Sequence, residues 1–376
     1  MDVSAEPLDR LRQRTSEKWR SYPPDVLPLF VAEMDYPLAP VIARRLHELI
    51  DLSDSGYVSS PAELGAAFAG FALRHWGWRL DPSGVRTTTD VSVGIVETLR
   101  RVIRPGEGVV ICSPVYAPFF DMVTEAGGVV VDVPFGSDGL DVAGIDRALA
   151  AGARAVLISN PQNPLGFVHP LASLQALADV AARHGAHVVS DEIHGPLVHD
   201  ASAFVPFLSV SDAAREWGVT VTSASKAFNL AGFKCALMIA ASDRGLAVLD
   251  GMPEEVFFRT SIVGHHASIA AFTDGDEWLA GAVRAITASA ELLGHLLAEH
   301  LPEVTFRPPR ASYLAWLDFR ALGWGEDPSQ RALDVARVAL NSGRTFGPAG
   351  AGFARLNLAC SPEVLTEAVH RLAGAR

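Results

Sequence analysis

Short runs of β-branched and other apolar residues alternate with stretches of helical periodicity between roughly residues 85 and 245. GVVICSP (108–114), GGVVVDVPF (127–135), ARAVLISNP (153–161), GAHVVSDE (185–192) and GVTVTSAS (218–225) are bounded by Gly, Pro or small polar residues. Their near-continuous hydrophobicity predicts strands of a sheet covered on both faces. CALMIA (235–240) reads as a further strand. Between two of these runs, Leu171, Leu174, Leu177, Ala178 and Ala181 recur at helical spacing, with Pro170 at the start and Gly185 just past the end. Strand and helix in alternation predict an α/β fold with a mostly parallel sheet and right-handed crossovers.

The pattern changes further on. EWLAGAVRAITASAELLGHLLAEHL (277–301) predicts one long helix, and PEVTFRPPRASYLAWLDF then reads as antiparallel strands. GFARLNLACSPEVLTEAVHRL reads as strand, turn and amphipathic helix. The expected division is a large domain over 46–245 and a smaller α+β domain over 246–376, with the segment 1–45 joining the smaller one.

Composition narrows the function classes. The net charge of −12 disfavours general binding to nucleic acid or to an anionic membrane surface, both of which call for basic patches. No apolar run reaches the ~20 residues that span a bilayer, and the charged start MDVSAEPLDRLRQRTSEKWR lacks the apolar core of a signal peptide. Cys112, Cys235 and Cys360 are odd in number and far apart, which suits a reducing compartment, so a cytoplasmic location is expected. His184, His187, His194 and His199 have no acidic or cysteine partners at a ligand spacing, so no metal is expected. GPAGAG (347–352) precedes a strand instead of joining strand to helix, unlike a dinucleotide loop.

Functional groups of such sheets collect in loops beyond the carboxyl ends of the strands. Four polar clusters stand there: SPVYAPF, NPQNPLG, SDEIHG and SASK. Lys226, in a turn between two core runs, is placed to have a lowered pKa and to form a Schiff base with a carbonyl. Asp191 ends an apolar strand, where a carboxylate is costly unless it faces a cation such as a protonated ring nitrogen. Asn163, between two prolines, offers an amide to a ring oxygen. For a phosphate, Gly94 stands where a helical pattern begins, and Ser223, Ser225 and Lys234 supply hydroxyls and a positive charge.

SASKAFNLAGFK, NPQNPLG, VVSDEIHGPLV, PVYAPFF and ARLNLACSPE together resemble the fold-type I, pyridoxal-phosphate-dependent class I/II aminotransferases. LPLFVAEMDYPLAP, GYVSSP and SDEIH narrow the resemblance to the MalY/PatB-type cystathionine β-lyase (C–S lyase) branch. It covers nearly the whole chain, in order, and implies a large domain with a mostly parallel seven-stranded sheet flanked by helices. It further implies pyridoxal 5′-phosphate as cofactor, with Lys226 as Schiff-base lysine and proton-transfer base. Asp191 would pair with the ring nitrogen, Asn163 would bond the ring oxygen with His194 nearby, and Tyr116 would stack on the ring. Gly94, Ile95, Ser223, Ser225 and Lys234 would hold the phosphate, Lys234 standing where many relatives carry an Arg. Arg355 would clamp the substrate α-carboxylate, with Ala32 also lining the substrate site. Tyr57 would reach the neighbouring subunit's site, which implies a homodimer with shared active sites.

The reaction implied is α,β-elimination of L-cystathionine or a related cysteine S-conjugate to pyruvate, ammonia and a thiol. The same groups also serve transamination of an L-amino acid, which stays open as the alternative. A non-catalytic regulator that binds the cofactor or an amino acid is the third reading. Against it, the resemblance starts close to Met1 and leaves no room for a basic DNA-binding module.

Overall fold

The computed structural model describes residues 1–136, 138–200 and 203–376. Seven strands form its main sheet: β1 (Val85–Thr88), β2 (Gly108–Ile111), β3 (Val129–Asp132), β4 (Ala155–Ser159), β5 (His187–Asp191), β6 (Gly218–Thr222) and β7 (Ala236–Ile239). Their order is β1-β7-β6-β5-β4-β2-β3. All neighbours run parallel except β7, which is antiparallel to both β1 and β6. Every residue of β4, β6 and β7 is buried, as their unbroken apolar runs require.

The helix Leu171–His184 covers β5 and ends at Gly185, whose φ of 61° lies in the left-handed region that glycine adopts without a Cβ clash. The helix Val91–Val102 runs against β5, β6 and β7, with Gly94 pressed onto Val221 and Met238 so closely that a Cβ would sit 2.8 Å from the Val221 side chain. Gly94 is therefore a packing glycine.

A second sheet is antiparallel and four-stranded, built from β8 (Thr305–Phe306), β9 (Leu314–Asp318), β10 (Asn341–Ser342) and β11 (Phe353–Asn357) in the order β10-β11-β9-β8. The long helix Asp276–His300 packs against the last helix, Pro362–Gly374. Leu27–Pro28 pairs in parallel with Val338–Ala339, which ties the N-terminal segment to this second layer. The helix Ile262–Asp274 packs instead on Pro40–Asp51 and Ala62–Trp76. The packing of the large unit thus runs past the boundary expected at residue 245. Among the described residues, no helix is long and apolar enough to cross a membrane.

Candidate active site

The carboxyl ends of β2, β4, β5 and β6 open on one cavity of about 620 Å³. Its wall includes Tyr116, Asn163, Asp191, His194, Ser223, Ser225, Lys226 and Lys234 from the sheet side, and Ala32 and Arg355 from the second layer. Loops at strand ends thus bring together residues that are far apart in sequence. Another cleft, of 670 Å³, is lined by Trp76, Trp78, Arg79 and Gly84 beyond the opposite end of β1, away from this cluster.

Asp191 closes β5 and is 4 % exposed; one carboxylate oxygen accepts from the Ile193 amide at 3.1 Å. Burial pushes its carboxyl up to about 7, against the pull of that hydrogen bond and of Lys226. Glu192, the next residue, points away into the protein, as strand alternation dictates. Its Oε1 accepts from Asn160 Nδ2 (3.2 Å), Ser190 Oγ (3.0 Å) and the Phe207 amide (2.7 Å), and burial lifts it to about 8. Glu192 braces the loops after β4 and β5 against each other.

Lys226 lies in the one-turn helix Ala224–Ala227, capped by Ser223. Its Nζ donates to the Ala32 carbonyl at 3.0 Å. Burial first, and the Arg355 charge second, bring its amine down to about 8. Arg355, on β11, is 4 % exposed; Nη1 donates to Asn163 Oδ1 at 3.1 Å and Nη2 to the Phe30 carbonyl at 3.3 Å, while its buried Nε has no partner. Burial lowers its pKa to about 10, and its guanidinium lies over the Phe346 ring at 4.9 Å. A buried guanidinium and a buried carboxylate thus share one cavity without pairing. Each is left to a ligand group of opposite charge.

His194 is buried, held neutral by burial (about 3), and its Nδ1 is unpartnered. Tyr116 packs edge-on against Phe119 with its phenol pKa raised, chiefly by burial. Because Asn163 Oδ1 accepts from Arg355, its Nδ2 donor is left to the cavity. Ser223 and Ser225 both line the cavity; the Ser223 hydroxyl donates to the Cys235 carbonyl at 2.6 Å and accepts from the Ser225 amide at 3.0 Å. Lys234 stands half-exposed at the rim, 3.4 Å from Asp90 Oδ2.

Two expected phosphate ligands fall elsewhere. Gly94 and Ile95 lie one turn inside the helix, which begins at Val91: the Gly94 amide is bonded to the Asp90 carbonyl at 3.0 Å, and Ile95 is fully buried in the core. The amides without helical partners are those of the first turn. There Asp90 caps Val93 at 2.9 Å, and Val91, Ser92 and Thr89 line the cavity. Asp directly before an apolar-periodic run is the sequence signal that marks this start. Tyr57 is not in the cavity; it is 84 % exposed and meets Phe258 edge-on at 6.3 Å.

Comparison with known proteins gives the family. The family model for aminotransferase class I and II matches residues 24–372. A cystathionine beta-lyase of Corynebacterium glutamicum is 32% identical, with 97% of this chain and 98% of that protein covered. Cystathionine beta-lyase PatB of Bacillus subtilis is 30% identical, with 93% of this chain and 92% of that protein covered. The crystal structure of cystalysin from Treponema denticola, which contains a pyridoxal 5′-phosphate cofactor, superposes with a TM-score of 0.89 at 25% identity, covering 97% of this chain and 96% of that one.

Proposed function

From the premise that this chain belongs to the aminotransferase class I and II family, we propose that it is a pyridoxal-phosphate-dependent carbon–sulfur β-lyase that acts on L-cystathionine or a related cysteine S-conjugate. The observation that carries the reading is that Asp191 and Arg355, both buried and not paired with each other, share one cavity with Lys226. The residues present fit the cofactor: Lys226 through its amine, Asp191 at the ring nitrogen, and Asn163 with His194 at the ring oxygen. Tyr116 fits the ring face, and Val91, Ser92 and Ser225 fit the phosphate, with Lys234 at its edge. When bound, pyridoxal phosphate supplies a protonated ring that takes up negative charge from the substrate Cα.

The chain's own groups supply the rest. Arg355 receives the α-carboxylate, for which a fork already oriented by Asn163 is suited. Lys226, with its amine near 8, is able to take the Cα proton at neutral pH. Asp191 keeps a proton on the ring nitrogen. Cleavage of Cβ–S then releases the thiol, and water completes the balance to pyruvate and ammonia. The lyases among its relatives support elimination over transamination.

A homodimer is part of the same reading: the exposed Tyr57 and Phe258 form an apolar pair that a second copy would cover. The three cysteines are buried and unpaired, which supports a reducing, cytoplasmic setting. The test is turnover of L-cystathionine with added pyridoxal phosphate. Pyruvate, ammonia and free thiol should appear in equal amounts over many turnovers. A keto acid formed without thiol, and only with an amino acceptor present, would make the protein an aminotransferase.

A further inference from the structure

The Ala32 carbonyl oxygen accepts two side-chain hydrogen bonds, from Lys226 Nζ at 3.0 Å and from Tyr313 Oη at 2.9 Å. A carbonyl offers two lone pairs, so the two donors fill it. Tyr313 is fully buried just ahead of β9, and burial raises its phenol pKa so far that it stays a donor at any working pH.

The strip that carries Ala32 cannot yield. Asn357 Nδ2 donates to the Val31 carbonyl at 2.8 Å and to the Glu33 carbonyl at 2.6 Å. Lys18 Nζ reaches the Glu33 carbonyl at 3.2 Å, and Asn229 bonds both the amide and the carbonyl of Met34 at 2.9 Å. With the carbonyl fixed and one lone pair taken, a single direction is left for the lysine.

We infer that Tyr313 is a positioning residue for Lys226, acting through the Ala32 carbonyl to fix where the lysine amine rests whenever it is not covalently engaged. The inference rests on Lys226 being the proton-transferring group of the proposed reaction, since an amine released in each turnover then returns to one place. Two donors on one oxygen also compete: each draws electron density that the other would use. Tyr313 therefore weakens the carbonyl's hold on the ammonium form and favours the free amine. The charges that face Lys226 are Arg355 and Lys234, which disfavour its proton, and Glu33 and Asp191, which favour it. Tyr313 acts on top of these without a charge of its own.

The test is the pH midpoint at which Lys226 becomes reactive toward an acylating reagent, followed by peptide mass spectrometry on the full-length chain without added cofactor. Tyr313→Phe keeps the ring and removes the hydroxyl, so the midpoint should rise by roughly a few tenths of a pH unit, the strengthening of the lysine's own hydrogen bond once its competitor is gone. A ring-fluorinated tyrosine placed at 313 donates more strongly and should lower it. A folded Tyr313→Phe protein with an unchanged midpoint would overturn the inference, as would shifts of the same sign in both proteins. If Tyr313→Phe fails to fold, the fluorinated chain decides alone. Because the midpoint is read without cofactor, a negative result leaves the lyase reading intact. That reading fails separately if the wild-type protein with added pyridoxal phosphate releases no thiol from L-cystathionine.

Discussion

Arg355 Nη1 donates to Asn163 Oδ1 at 3.1 Å, joining residues 192 apart in sequence across the seam between the two sheets. The bond orients the guanidinium without neutralising it. On the proposed reading, Asn163 would thus tune the receptor for an α-carboxylate, besides offering its own amide to the cofactor.

Asn163→Ala should raise KM for the amino-acid substrate by about tenfold, the worth of one hydrogen bond to a charged group. Asn163→Asp should raise it further, because a carboxylate beside Arg355 is an internal competitor for the substrate's. The two variants separate orientation from charge. A KM for Asn163→Asp at or below that of Asn163→Ala would show that Arg355 does not receive the carboxylate.

Asp191 makes a prediction about stability. Its carboxyl is raised from the ordinary 3.8 to about 7, chiefly by burial. Between those values the folded chain keeps a proton that the unfolded chain has lost, so the cofactor-free protein loses stability as pH rises through that window. Glu192 adds the same trend up to about 8. Asp191→Asn should flatten the fall of Tm between pH 4 and 7 and leave the empty protein more stable than wild type at pH 7 and above. The same substitution should weaken pyridoxal phosphate binding by about tenfold or more, the loss of a buried charge-assisted hydrogen bond. Parallel Tm–pH curves for the two proteins would contradict the unpaired buried carboxylate.

Tyr57 and Phe258 meet edge-on while 84 % and 49 % exposed, and Ile50 and Leu52 are 71 % and 72 % exposed on the same chain. The proposed homodimer predicts a wild-type particle of two 40.0 kDa chains in sedimentation, which Phe258→Glu should reduce to one. If Tyr57 completes the neighbour's site, mixing inactive Lys226→Ala chains with Tyr57→Ala chains should restore activity. One site of each mixed dimer then has both residues. No recovery on mixing, with both variants dimeric, would remove Tyr57 from the site.

Much of the sheet is legible in the sequence, because strands β2 to β7 are short runs rich in β-branched and other apolar residues, bounded by Gly, Pro or small polar residues. β1 is not: VRTT carries Arg86 and two threonines at an antiparallel edge, so it shows no continuous apolar run although Val85, Thr87 and Thr88 are buried. The cluster of Lys226, Asp191, Asn163 and Arg355 is foreshadowed by polar residues following apolar runs and by the family resemblance. Gly94 and Ile95 lie one helical turn from the cavity wall; in sequence a glycine reads equally well as close approach to a ligand or to a neighbouring strand. Gly94 is the latter. The Ala32–Tyr313 bond spans 281 residues and has no local signature at all.

Nor does the ion pair of Lys18 with Asp35, at 2.7 Å and with side chains 0% and 1% exposed. Burial raises the Asp35 carboxyl despite the lysine, so the pair holds its charges at a desolvation cost. Its return is positional: Lys18 also bonds the Glu33 carbonyl, in the strip whose Ala32 oxygen holds Lys226. Lys18→Met should destabilise the protein by about 3–5 kcal/mol, since it strands a buried carboxylate. Lys18→Met with Asp35→Leu should recover most of that loss, because apolar replacement of both partners removes the desolvation cost. The double variant should nevertheless retain a lower kcat than wild type, as the strip keeps its Asn357 and Asn229 ties but loses the one from Lys18. Chemical denaturation and steady-state kinetics on the two variants check both parts. Full recovery of kcat alongside stability would show that the pair serves folding alone.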